Sequence, residues 1–184
     1  SHPARAPYQI YRQAADSVRS SILIGLGSRL QVFQSELIRR ITSYGEIDLT
    51  LPGVKRCAYF CVFSDQQSTF DFLSSLFFSF LFIKLVGFAD SCTSGRLPVA
   101  VNIIGDEWPN IGTVLDYPKK ISTIRSRGIH MMGLCFQSIA QLQTRYPDTE
   151  WQILLSACDT QLFFGANDEA TAKLVSNRTG EISV

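Results

Sequence analysis

From residue 8 to residue 44 apolar side chains return every three or four positions, at Tyr11, Ala14, Ala15, Val18, Ile22, Leu26, Leu30, Phe33, Leu37 and Ile41. That spacing predicts one amphipathic helix, ended by Tyr44-Gly45. Gly25 and Gly27 fall inside it and predict a kink or a close helix contact. Beyond it the period changes. Ile47 to Leu51 alternates briefly, and Cys57 to Phe63 is a near-continuous apolar run rich in β formers, the pattern of a strand buried on both faces. A helix is predicted from Ser68 to Phe88, a second buried strand from Val99 to Gly105, a helix from Thr113 to Ser126 and a third strand from Ile129 to Phe136. Further helical segments lead to a fourth strand near Thr160 to Phe164, then to a last helix capped by Asn167 or Asp168. Strands alternating with helices predict an α/β fold with a mostly parallel sheet and helices on both faces.

The stretch Phe70 to Ala89, FDFLSSLFFSFLFIKLVGFA, imitates a membrane span. Its uncharged run between Asp71 and Lys84 falls short of the roughly 20 residues a bilayer requires, so a buried core helix is expected. Composition adds little to this picture. With 184 residues, 46% of them hydrophobic, the chain can bury the core of one globular domain. A net charge of +1 leaves no global basic footprint, so any DNA contact has to be local or shared between subunits. Five cysteines without a CxxC pair, beside two histidines, read as a reduced chain without a zinc site. The opening Ser1-His2-Pro3-Ala4-Arg5 lacks the pattern of a signal peptide and reads as a cut inside a longer protein.

Chemistry concentrates where the second strand runs into Asp106-Glu107. An apolar strand followed by two acids is the Walker B pattern, in which the first acid holds Mg²⁺ through its water shell and the second takes a proton from an attacking water. The carboxyl ends of parallel strands are also where α/β sheets bind ligands. The plain alternative is a polar strand exit. Gln137 follows the third strand and reaches the same rim if the strands are parallel; it is a candidate γ-phosphate sensor or, equally, a cap of the next helix. Arg125 and Arg127 precede that strand and are candidates for reaching a neighbouring subunit's nucleotide, or else a solvated helix end. No GxxxxGK[ST] phosphate loop occurs anywhere in the chain. A Walker B without a Walker A predicts a fragment or a degenerate ATPase.

The string GRLPVAVNIIGDEWPNIG, followed by ISTIRSRGI, CFQSIAQL, CDTQLFFGANDEATAKLVS and TGEI, resembles the TraG-type coupling proteins of type IV secretion and conjugation. Upstream, HPARAPYQIYRQAADSVRSSIL, EIDL and SDQQSTFDFLSSLFFSFLF look similar to the same family, closest to its Gram-positive conjugative-element branch. Trp108 and Pro109 are mild departures from its usual pattern.

The resemblance implies a hexameric, RecA-like, DNA-translocating ATPase that couples the relaxosome and single-stranded DNA to a type IV secretion channel. Its cofactors are ATP and Mg²⁺. Its partners are its own copies, the relaxase with its DNA, and the channel components. The family sits at the cytoplasmic face of the cell membrane through an N-terminal segment and carries a small all-helical insertion, neither of which is expected in this chain. Residues 1–184 would then be the C-terminal portion of the RecA-like core without its Walker A half, soluble and inactive alone. By the same resemblance Asp106 is the magnesium acid, Glu107 the catalytic base, Gln137 the sensor-like residue, and Arg125 or Arg127 the arginine finger. The alternatives are a non-catalytic docking or oligomerisation module, and another hexameric translocase, against which the DEWPNIG and RSRGI strings argue.

Overall fold

Val101 and Ile129 face each other at the start of a parallel ladder that runs to the pair Gly105 and Leu134. The two strands, β1 (Val101–Gly105) and β2 (Ile129–Leu134), are the sheet among the described residues of this computed structural model, which are 2–63 and 71–180. Contacts divide the chain into two compact units, Ser1–Ile47 and Asp48–Val184.

The first unit is helical. The single helix expected over 8–44 is instead α1 (Arg5–Gln13), α2 (Asp16–Leu30), a 3₁₀ turn (Gln31–Gln34) and α3 (Glu36–Thr42). The breaks lie at Ala14, Ala15 and Ser35, whose backbones are extended. α2 runs unbroken through Gly25 and Gly27, and the close helix contact expected there is absent among the described residues, since beyond its own helix neither glycine has an atom within 4 Å of the place of a Cβ. The three-and-four spacing reports a helical repeat but not its continuity. Two extended residues between helices preserve the apolar spacing while ending the hydrogen-bond ladder.

In the second unit a short α4 (Leu51–Val54) precedes the long α5 (Asp71–Ser91). By length and composition α5 is apolar enough to cross a membrane. It buries Phe78, Leu81, Phe82, Leu85 and Ala89 in the core, as expected of a core helix. The first turn predicted at Ser68, and the Glu181 and Ile182 of the TGEI string, lie outside the described residues. After β1 come a 3₁₀ turn (Trp108–Ile111), α6 (Tyr117–Ile124), a second 3₁₀ turn (Arg125–Arg127), β2, α7 (Ile139–Arg145), α8 (Glu150–Ser156) and α9 (Glu169–Thr179). Of the two caps offered for α9, the structure uses Asp168, whose carboxylate accepts from the Thr171 N–H at 2.9 Å.

Two predicted strands do not form. Residues 57–63 and 160–164 carry no regular structure and are exposed, with Phe60 91%, Val62 92% and Phe164 96% open. Apolar runs mark strands only when a neighbour completes the ladder, and among the described residues neither segment has one. The sheet is also covered differently from expectation. Val101, Ile103 and Gly105 are buried while Asn102 and Ile104 are exposed, the alternation of a strand with one packed face. The α/β character and the parallel pairing stand; helices on both faces of a larger sheet do not.

Candidate functional site

Parallel pairing decides the site's location. Because Gly105 and Leu134 are partners at the carboxyl ends of the two strands, the residues just beyond each strand emerge on one rim. The pairing continues one step further, with the Cys135 N–H donating to the Gly105 carbonyl and the Trp108 N–H to the Cys135 carbonyl, both at 2.9 Å. Asp106 and Glu107 form the turn between those bonds.

Trp108 anchors that turn. It is 1% exposed, stacks on Tyr117 with ring centres 4.9 Å apart, meets Phe78 edge-on at 5.1 Å, and donates from its indole N–H to the Tyr146 hydroxyl at 3.3 Å. Gly105 makes room for it, since a Cβ there would collide with the Trp108 ring and lie 2.9 Å from Met131 Cε. Arg145 holds the same turn from outside, donating to the Pro109 carbonyl at 2.6 Å and pairing with Asp71 at 2.8 Å. The departures Trp108 and Pro109 are therefore the buried foot of the rim loop.

With its successor pinned, Glu107 is held in the left-handed region at φ 45° and ψ 48°. That conformation costs about 1–2 kcal/mol for a residue with a Cβ. Its carboxylate accepts two hydrogen bonds at 2.7 Å, Oε1 from the Gln137 side-chain amide and Oε2 from the Asn110 side-chain amide. Gln137 does not cap the following helix. Ser138 does so, its hydroxyl accepting from the Gln141 N–H at 3.4 Å. The Gln141 side chain in turn accepts from the Gln137 backbone N–H at 3.0 Å.

Asp106 is exposed beside this cluster, and its carboxylate has no hydrogen bond or ion pair among the described residues. The rim thus offers one free carboxylate and one clamped by neutral amides. The clamped group keeps two of its four lone-pair sites. No cluster of three or more His, Cys, Asp or Glu among the described residues is placed to grip a metal ion.

The two arginines are elsewhere. They precede β2 and so lie at the amino rim, where the Arg127 carbonyl accepts from Leu97 N–H at 2.9 Å. Arg127 is pinned to Asp90, and Arg125 makes a single exposed contact with Asp159 at 3.1 Å. The structure brings Glu107 and Gln137 together, sets Asp106 beside them, and keeps both arginines at the opposite end of the strands. Asn110 and Gln141 complete the cluster and were not singled out in the sequence. Their signals were local: Asn110 stands three residues after Glu107, and Ser138-x-x-Gln141 has the form of a capping box.

Residues 100–184 match the family model described as the TraM recognition site of TraD and TraG. No curated protein and no solved structure matches the chain. The matched residues include both strands, the rim and α7 to α9, so this part of the chain is similar to the C-terminal region of TraG-type coupling proteins.

Proposed function

We propose that the chain is the later part of the RecA-like motor of a hexameric conjugative coupling protein, which uses ATP to move single-stranded DNA and its relaxase toward a type IV secretion channel at the cytoplasmic face of the membrane. The observation that supports this reading is the 2.7 Å hydrogen bond from Gln137 to Glu107 at the carboxyl rim, inside the matched residues.

Bound against this rim, Mg²⁺–ATP supplies the electrophilic γ-phosphate and the cation that screens its charge. Asp106 would hold the cation through water, and its free, exposed carboxylate fits that task. Glu107 would accept the proton of the attacking water at a lone pair its amides leave open. Gln137, bonded to the base, would report on the γ-phosphate. The phosphate cradle has to come from another segment, because the chain has no GxxxxGK[ST]. Arg125 would serve the nucleotide of a neighbouring copy, since it stands at the amino rim and is the less restrained of the pair.

Hydrolysis by the full-length protein tests the reading. Glu107→Gln should retain ATP binding and lose turnover, Asp106→Asn should weaken Mg²⁺-dependent binding, and residues 1–184 alone should not hydrolyse ATP. Full turnover by Glu107→Gln removes the base assignment.

The family's description favours a second reading, a docking module that recognises a TraM-like relaxosome protein. Binding of such a protein to residues 1–184, unchanged by Glu107→Gln and alongside normal turnover in the full-length variant, would support it.

A further inference from the structure

We infer that Asn110 and Gln141 are positioning residues of the rim: Asn110 fixes one oxygen of the Glu107 carboxylate, and Gln141 fixes Gln137, which fixes the other. The inference rests on Glu107 being the base.

Glu107 occupies a backbone conformation that a residue with a Cβ keeps only when its surroundings impose it. Asn110 imposes it twice. Its backbone N–H donates to the Glu107 carbonyl at 2.8 Å, and its side-chain amide donates to Oε2 at 2.7 Å. The turn between them is tied down by buried Trp108 and Pro109, so Asn110 has little freedom to leave.

On the other side the chain of bonds runs into a helix. Gln137 lies beyond the end of β2, exposed and outside α7, and would otherwise be free to turn away. Gln141 stops it with two contacts. Its side-chain oxygen accepts from the Gln137 N–H at 3.0 Å, and its amide approaches the Gln137 side-chain oxygen at 3.5 Å. That second contact orients the Gln137 amide so that its nitrogen, not its oxygen, meets Glu107. Gln141 itself is rigidly placed, because α7 buries Ile139 and Leu142 and the Ile139 N–H donates to the buried Thr171 hydroxyl at 3.0 Å.

All these donors to Glu107 are neutral amides. They aim the carboxylate without supplying a counter-charge, which suits a group that has to accept a proton more than one that has to form an ion pair. Positioning of this kind is worth much in rate, since a displacement of about 1 Å at a reacting group can cost about 10²-fold. Gln141 also closes a turn resembling a capping box, so stability has to be measured beside rate.

The test uses the full-length, assembled protein, with kcat for ATP hydrolysis, Kd for ATP and Tm measured on Asn110→Ala, Gln141→Met and Gln141→Glu, and Glu107→Gln as reference. Methionine keeps the length of Gln141 without its hydrogen bonds, whereas glutamate keeps the acceptor for the Gln137 N–H. Asn110→Ala and Gln141→Met should lower kcat by about 10- to 100-fold with Kd within twofold of wild type, and Gln141→Glu should recover part of the loss. Wild-type kcat in both variants, while Glu107→Gln is inactive, overturns the inference and leaves the motor reading standing. Losses of kcat that follow Tm or Kd also overturn it, in favour of a helix cap. Undiminished turnover by Glu107→Gln overturns the motor reading and the inference with it.

Discussion

Arg127 grips Asp90 with a fork, Nε to Oδ1 at 2.7 Å and Nη2 to Oδ2 at 3.4 Å, and ties the turn before β2 to the last turn of α5. Its neighbour Arg125 reaches Asp159 with one nitrogen, and both side chains of that pair are about three-quarters exposed (74% and 78%). A two-point, partly shielded pair contributes more than a single exposed one. Arg127→Ala and Asp90→Ala should each lower the unfolding free energy of residues 1–184 by about 1 kcal/mol, and Arg125→Ala by less than about 0.5 kcal/mol. Urea denaturation decides it, and the reverse order would show Arg127 to be the freer arginine.

The same asymmetry predicts the outcome of subunit mixing. A finger acts on the neighbour's nucleotide, so full-length Arg125→Ala rings should regain part of their ATP turnover when mixed with Glu107→Gln subunits, through interfaces that pair an intact base with an intact arginine. Mixed rings that assemble and stay inactive remove Arg125 from the trans role.

Gly105 leaves no space for a side chain beneath Trp108, with Met131 Cε 2.9 Å from the place of a Cβ. Gly105→Ala should overpack this point and destabilise by about 1–3 kcal/mol. The indole should move as well, so its fluorescence should shift before unfolding begins. Unchanged stability and emission would mean that the loop accommodates the methyl group without displacing Trp108.

Tyr117 is wholly buried, and among the described residues its hydroxyl has no hydrogen-bond partner. Burial, with Tyr146 and Cys158 nearby, pushes its ionisation far above the ordinary tyrosine range, so it stays neutral at every working pH. An unsatisfied buried hydroxyl costs about 1–3 kcal/mol. Tyr117→Phe removes that group while keeping the ring on Trp108 and Phe82, and should leave stability unchanged or raise it. A clear loss in calorimetry would reveal a partner for the hydroxyl.

At α9 the hydrogen bonds from Thr171 hold the Asp168 carboxyl below its ordinary range. A folded-state value lower than the unfolded one contributes stability above the unfolded value, about 3.9, which disappears as pH falls through the folded value. The helicity of α9 should therefore weaken below about pH 4. Asp168→Asn, which keeps an acceptor without a charge to titrate, should flatten that part of the profile of Tm against pH. An identical acid limb in wild type and variant would remove Asp168 as its cause.

Local rules carried the sequence reading a long way. The apolar strands ending in Gly105 and Leu134, the core helix with Phe78, Phe82 and Leu85, and the Asp168 cap each depend on residues a few positions apart, where period and capping chemistry act. The rim was legible too, because parallel strands deliver the residues at their carboxyl ends to one side of the sheet. Where a second, distant partner was needed, the sequence could not decide. Residues 57–63 and 160–164 have the composition of strands but, among the described residues, no adjacent ladder, and a strand exists only as one of a pair. Nothing local distinguishes Arg125 from Arg127; Asp90, 37 residues away, does. Likewise Asn110 looks like any residue of a short turn until Trp108 is buried under it and Gln137 arrives from 30 residues downstream to share Glu107. Hydrophobic period is encoded within a few residues, whereas the pairing of single polar groups depends on how whole elements pack, and only tertiary structure supplies that.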